Sequence, residues 1–382
     1  MSSKVAIIRC ESYDESAVFD AVGRGLELIG GIAAFASPSE EILLKPNVLV
    51  GSAPGAAVTT HPAVFAAVAR HLQEHAVHVK YGDSPGFGNP EHAARKSGLG
   101  EPADRLSIPF AEFTEGRQIS FPEGHLIKQF FFANGALDAD GIISLPKFKT
   151  HGMARVTGAV KNQFGCIVGT RKGEFHVRMP DIDRFSQMLV DLNLALKPRL
   201  YIMDGITAME GNGPRGGDAR QMNVILISAD PVALDATMCR MMALDPAMVG
   251  TNVYGQEYGL GTYEDVELLG DPIESFIAED YNVNRSPQST TGRGDAGPFA
   301  RNMIVPKPYI VPELCTKCGT CVKVCPVEPK AVDWATPGGA KDGHVPVHTY
   351  SRCIRCYCCQ EMCPEKAIKV RTPFLGRLIH RK

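Results

Sequence analysis

Apolar and polar positions follow two rhythms along the first three quarters of the chain. Short apolar runs at residues 5–10, 42–44, 77–81, 141–145, 200–203 and 224–227 have the length and the bounding turns of strands. Between them apolar residues recur every three or four positions. Val18, Val22 and Leu26 mark a helix over 14–28, and Val64, Val68 and Leu72 mark a second. Ile182, Phe185, Leu189 and Leu192 mark a third, which ends before Pro198. Capping residues agree with these limits: Asp181 precedes the third helix, Asp230-Pro231 opens another, and Thr60-His61-Pro62 puts proline in the first turn of the second. Strands alternating with helices predict an α/β domain with a largely parallel sheet over residues 1–285. Residues 119–121 and 129–132 read as hairpin strands inside 87–140, the least patterned stretch.

Periodicity stops near Arg285. Residues 286–306, rich in Ser, Thr, Gly and Pro, read as a linker, and residues 307–382 form a second, small domain. Nine of the twelve cysteines fall there. Cys315, Cys318, Cys321 and Cys325-Pro326 spell C-x2-C-x2-C-x3-C-P, and Cys353, Cys356, Cys359 and Cys363-Pro364 repeat it. Each CxxCxxC loop supplies three thiolates to a [4Fe-4S] cluster, and the fourth cysteine of each run serves the other cluster. One set is then Cys315, Cys318, Cys321 and Cys363; the other is Cys353, Cys356, Cys359 and Cys325. Paired structural zinc sites are the alternative for CxxC motifs, and the two full repeats with both prolines argue against them. Cys358 reads as a spare thiol, and Cys10, Cys166 and Cys239 as isolated packed ones. The stretch resembles the bacterial two-cluster ferredoxins, which implies a small α+β domain that carries electrons singly.

Composition narrows the class further. With 44% hydrophobic and 21% charged residues this is an ordinary globular chain, and its net charge is −2. Charge is unevenly spread, since residues 307–382 hold 13 Lys and Arg against 6 Asp and Glu. A basic domain on an acidic body suits docking of an electron donor or acceptor protein such as an acidic ferredoxin. Nucleic acid is not an expected partner, because the basic residues lack interleaved aromatics. No apolar run nears the roughly 18 residues of a membrane span, and the start of the chain has no signal-peptide pattern, so the cytoplasm is the expected compartment.

In open parallel sheets ligands bind beyond the carboxyl ends of the strands. Lys45, Asn47, Asp83, Lys147, Lys149, Asp204 and Asp230 each stand at the end of an expected strand, so one rim should gather them. Residues 141–180 carry Lys147, Lys149, Arg155, Lys161, Arg171, Lys172 and Arg178 against Glu174 alone, a one-sign cluster suited to an anionic small molecule. Gly211 and Gly213, in the glycine-rich loop 211–217, could bring amides to a phosphate or carboxylate. His61, His151 and His176 are the candidate acids, bases or metal ligands, each expected in a polar turn. Lys161 follows Ala159-Val160, and burial there would make its amine nucleophilic.

Residues 145–152, 157–165, 204–214 and 230–233 (LPKFKTHG, TGAVKNQFG, DGITAMEGNGP and DPVA) resemble the family called domain of unknown function 362, whose members often carry a ferredoxin appendage. A fainter likeness is to the nickel-pincer lactate racemases: His151, Lys161 and His176 fall near the order and spacing of a histidine, a cofactor-anchoring lysine and a metal-binding histidine, and His61 echoes a further catalytic histidine. The expected function is an iron–sulfur oxidoreductase that passes electrons to an anionic substrate or cofactor held in the α/β domain. The alternatives are a non-catalytic electron carrier or assembly partner, and racemase or hydride-transfer chemistry with a nickel or organic cofactor at Lys161.

Overall fold

The computed structural model describes residues 2–169, 171–286, 302–336, 339 and 343–379. Most of the 286–306 linker lies outside the described residues. In chain order the strands of the body are β1 (Ser3–Arg9), β2 (Glu41–Pro46), β3 (His78–Tyr81), β4 (Gly116–Ser120), β5 (Gln129–Ala133), β6 (Gly141–Leu145), β7 (Lys147–His151), β8 (Arg155–Thr157), β9 (Leu200–Glu210), β10 (Asp218–Ser228) and β11 (Val266–Gly270). Nine of these form one sheet in the order β11-β1-β10-β9-β6-β2-β3, with β7 beside β9 and β8 beside β7. Most neighbours run parallel, and β10 is antiparallel to both β1 and β9. The remaining pair, β4 and β5, is the expected hairpin.

Side chains that alternate along a strand reach opposite faces, and the core divides accordingly. Ile42 and Leu44 of β2 pack with Ile8 and Ile225 against Val18, Val22, Val64, Val68 and Leu72 of the helices Glu15–Leu28 and Pro62–Glu74. On the opposite face Leu43 packs with Phe185, Leu189 and Leu192 of the helix Ile182–Leu196, while Val224 and Leu226 meet Ala233, Leu234 and Met238 of the helix Pro231–Met241. Each such aliphatic side chain, once fully buried, contributes about 1.5–3 kcal/mol. Helices on both faces therefore fix the sheet and leave its polar rim to chemistry.

The C-terminal domain adds β12 (Lys307–Ile310) paired with β15 (Ile368–Arg371), β13 (Val332–Asp333) paired with β14 (Val347–His348), and the short helices Thr320–Lys323 and Cys358–Met362. Among the described residues no helix is long and apolar enough to cross a membrane.

Two strands depart from the expectation: Lys147–His151, expected beyond the end of a strand, form β7, and β9 is longer than expected. β9 continues through Asp204 and Gly205 to Glu210, so Asp204 lies within the strand and not at its end. A mid-strand carboxylate is tolerated because Lys147 neutralises it and Tyr13 hydrogen-bonds it. Gly205 lets the strand pass under Val224 and Phe148, where a Cβ would meet atoms at 2.9 and 3.1 Å.

Candidate functional site

A buried ion pair lies under the site. Lys45, at the end of β2, places Nζ 2.7 Å from Asp83 Oδ1, with both side chains almost fully buried. Lys45 also donates to the Pro46 carbonyl at 2.9 Å and to Asn162 Oδ1 at 3.2 Å, and Asp83 Oδ2 accepts from the Val48 amide at 2.8 Å. Gly165 crosses the pair so closely that a Cβ there would collide with Asp83. Beside the pair, Lys149 donates to Asn47 Oδ1 and to the Val58 carbonyl, each at 2.6 Å. Burial and the neighbouring Lys161 and Lys147 push the Lys149 amine well below its ordinary pKa.

Lys161 is set by its helix. The one-turn helix Ala159–Asn162 starts under Asp235, whose carboxylate accepts from the Ala159 and Val160 amides at 2.6 and 3.2 Å. Gly158 is needed for this, since a Cβ would strike that carboxylate. The Lys161 amine makes no hydrogen bond among the described residues, and burial lowers its pKa against the pull of Glu361 and Cys358. Lys172 donates to the Ser84 and Pro85 carbonyls at 2.9 and 3.3 Å, and burial brings its pKa down to about 7. His176 lies on the helix Arg171–Arg178, not in a turn, and its ring stacks on Phe185 at 4.7 Å. Burial holds His176 neutral, with a pKa of about 4, and its Nδ1 has no hydrogen-bond partner among the described residues.

These groups face a cavity of about 680 Å³ between the two domains. Asn47, Asp83, Lys149, Lys161, Lys172 and His176 line it from the body; Lys323, Cys325, Pro326, Cys358, Glu361 and Met362 line it from the C-terminal domain. The half-exposed Phe87 also borders it.

His151 does not line the cavity and has a role other than the one expected. It ends β7, and its Nδ1 accepts from the Met153 and Ala154 amides at 3.0 and 3.1 Å, which leaves the ring proton on Nε2. Nε2 sits 2.9 Å from Glu361 Oε1, at ion-pair distance without hydrogen-bond alignment. His151 is thus a bridge between domains and not a base in a polar turn. Burial alone would raise the Glu361 carboxyl, but His151 and Lys161 hold it down to about 2.

The expected rim splits in two. Lys147 pairs with Asp204 at 2.6 Å and donates to the Tyr13 hydroxyl at 3.0 Å, and Tyr13 donates to Asp204 at 2.8 Å. His61 caps its helix by accepting from the Ala63 amide, donates its own amide to Asp204 at 2.9 Å and stacks on Tyr13. Lys147, Asp204 and His61 do not line the cavity; their hydrogen bonds tie helices to the sheet. Asp230 caps its helix through the Val232 and Ala233 amides.

Gly211 and Gly213 do not line the cavity either, because the 211–217 loop is spent on docking the C-terminal domain. Gln360 donates to the Asn212 carbonyl at 3.0 Å, Arg215 to the Met362 carbonyl at 2.7 Å, and Lys366 to the Gly217 carbonyl at 3.2 Å. Gly213 passes too close to the Thr150 carbonyl for any Cβ.

The cysteines gather in the crossed sets. Cys315, Cys318, Cys321 and Cys363 line one small pocket, and Cys325, Cys353, Cys356 and Cys359 line another. All eight thiols are free. Lys317, Gly319, Arg355 and Tyr357 have left-handed backbones, with φ of 60, 71, 64 and 62°, which curl the two loops around these spaces. Among the described residues no three His, Cys, Asp or Glu are grouped so as to hold a single metal ion. The donor chemistry therefore fits two iron–sulfur clusters. Cys10, Cys166 and Cys239 are buried in apolar surroundings, and burial raises the Cys166 thiol to about 12.

Sequence reasoning did not find Glu361, Asp235 or Asn162. Glu361 lies between two cysteines, where nothing in the spacing marks it, and Asp235 acts only through backbone amides.

Comparison with known proteins follows the same division. Residues 42–240 match the family described as Domain of unknown function (DUF362), and residues 307–364 match the 4Fe-4S dicluster domain. A thylakoid-associated protein of Synechocystis sp. is 38% identical over 261 residues, 68% of this chain and 81% of that protein. Among solved structures, the lactate racemase apoprotein from Thermoanaerobacterium thermosaccharolyticum aligns with a TM-score of 0.38 at 12% identity, covering 62% of this chain and 56% of that one. A Thermotoga maritima protein aligns with a TM-score of 0.32 at 14% identity, covering 59% and 57%. The chain thus spans a little over half the length of each of these two structures. The dicluster domain gives the protein an iron–sulfur electron-transfer role, and the chain as a whole belongs to the DUF362 family.

Proposed function

We propose that the protein is an iron–sulfur oxidoreductase whose interdomain cavity binds an organic anion and exchanges electrons with it. The observation that carries this reading is the composition of the cavity wall: lysines from both domains, and the loops around Cys325 and Cys358 on one side. When bound, the two clusters would store and transfer single electrons. Lys161, with no hydrogen bond to give up among the described residues, is the first cation to meet the anion, and Lys149 and Lys172 stand behind it. The neutral His176 offers Nδ1 to an acidic hydrogen of the ligand. Glu361, held ionised, disfavours a second acid group on its own side of the cavity. The counterpart is an external one-electron carrier, and the basic C-terminal domain suits an acidic one. The reducing cytoplasm is the compartment this reading favours.

The test is to reduce the full-length protein without oxygen and mix it with 2-oxo acids, aromatic carboxylates and phosphate esters, following reoxidation by visible absorption. At least one anion should reoxidise it, and Lys161→Met should slow that step at least tenfold with iron content unchanged. Equal rates for the variant, or for neutral analogues, refute the reading; failure of every anion leaves a carrier or assembly role. A second reading, a cofactor attached covalently at Lys161, is favoured by the same unbonded amine. It requires added mass on Lys161 in the active protein, and an unmodified intact mass removes it.

A further inference from the structure

The two thiol sets stand differently toward the rest of the molecule. Cys325 of the second set lines the large cavity, as does Cys358, which sits between Cys356 and Cys359. None of Cys315, Cys318, Cys321 and Cys363 lines it. Cys318 is exposed to solvent instead. Each set also has its own cation from the body. Lys161 lines the same cavity as Cys325 of the second set. Arg215 donates to the carbonyl of Met362, next to Cys363.

We propose that the sets work in series, with Cys325, Cys353, Cys356 and Cys359 facing the cavity and tuned by Lys161. Cys315, Cys318, Cys321 and Cys363, tuned by Arg215, take electrons from an external one-electron carrier at the exposed Cys318. For each electron accepted the carrier is oxidised by one electron, and no proton need move between the sets. The inference uses the functional reading only for the cavity as destination, and its test needs no substrate. A fixed positive charge near iron-bound thiolates favours the reduced state, so removing it lowers the midpoint potential of the nearer set.

The experiment is an anaerobic redox titration of the full-length, iron-loaded protein by electron paramagnetic resonance, comparing wild type, Lys161→Met and Arg215→Gln. Lys161→Met should lower the midpoint of one cluster signal and Arg215→Gln that of the other. Inorganic phosphate should shift the signal that responds to Lys161→Met and leave the other in place. The assignment is overturned if both variants move the same signal, if neither moves one, or if phosphate moves the Arg215-linked signal. Should Arg215→Gln not load iron, Arg215→Lys serves as the loaded control; phosphate shifting both signals alike, or neither, then still overturns the proposal. Absence of substrate turnover, by contrast, bears on the functional reading alone.

Discussion

Asp83→Asn probes the ion pair beneath the site. Asp83 and Lys45 are 3% and 0% exposed and 2.7 Å apart, so the substitution strands a cation that water cannot reach. Removing one partner of such a pair costs about 3–5 kcal/mol. Here the low end applies, because Lys45 keeps its bonds to Pro46 and Asn162, and the new amide oxygen can still accept from Val48. At about 2–4 °C per kcal/mol for a domain of this order, the thermal transition of the body should fall by about 6–12 °C. Calorimetry of the iron-loaded variant measures it. Lys45→Met combined with Asp83→Leu should recover most of the loss, since apolar replacement of a whole buried pair is often neutral or stabilising. A loss under about 1 kcal/mol for Asp83→Asn, or a double variant as unstable as the sum of the singles, would show that the pair is not isolated from water.

Three further outcomes follow from the same geometry. Lys172, at about 7 in the fold, lacks a proton that the unfolded chain still holds up to about pH 10; stability should rise with pH across that window by up to about 1.4 kcal/mol per unit, and Lys172→Met should flatten the rise in urea titrations. Asp235 has the opposite sign, because burial raises it to about 7: the fold keeps a proton that the unfolded chain loses near pH 4, so its contribution falls as pH rises from about 4 to 7, and Asp235→Asn should remove that dependence. Gly158→Ala should displace the Asp235 carboxylate and with it Lys161, abolishing phosphate binding measured by calorimetry while iron content stays at the wild-type level.

Much of the fold was legible because its signals are local. The stripes Val18-Val22-Leu26 and Ile182-Phe185-Leu189 are helices on opposite faces of the sheet, and the two cysteine sets read from the spacing each line one small pocket. What the sequence hid was long-range. Asp204-Gly205 reads as a turn until Lys147 and Tyr13 are known to neutralise the carboxylate from 57 and 191 residues away. The 211–217 loop has the composition of an anion-binding turn, and only the C-terminal domain packed on it shows why its carbonyls matter. His151 and His176 read as candidate acids, bases or metal ligands in polar turns, but they lie in a strand and a helix, against partners, Glu361 for one and Phe185 for the other, that no spacing predicts.

The most direct test of the account is stoichiometric. Protein purified without oxygen should contain about eight irons per chain and take up two electrons on reductive titration, with Cys325→Ala and Cys363→Ala each disturbing a different cluster signal. Four irons or fewer, zinc in place of iron, or both variants disturbing the same signal would contradict it.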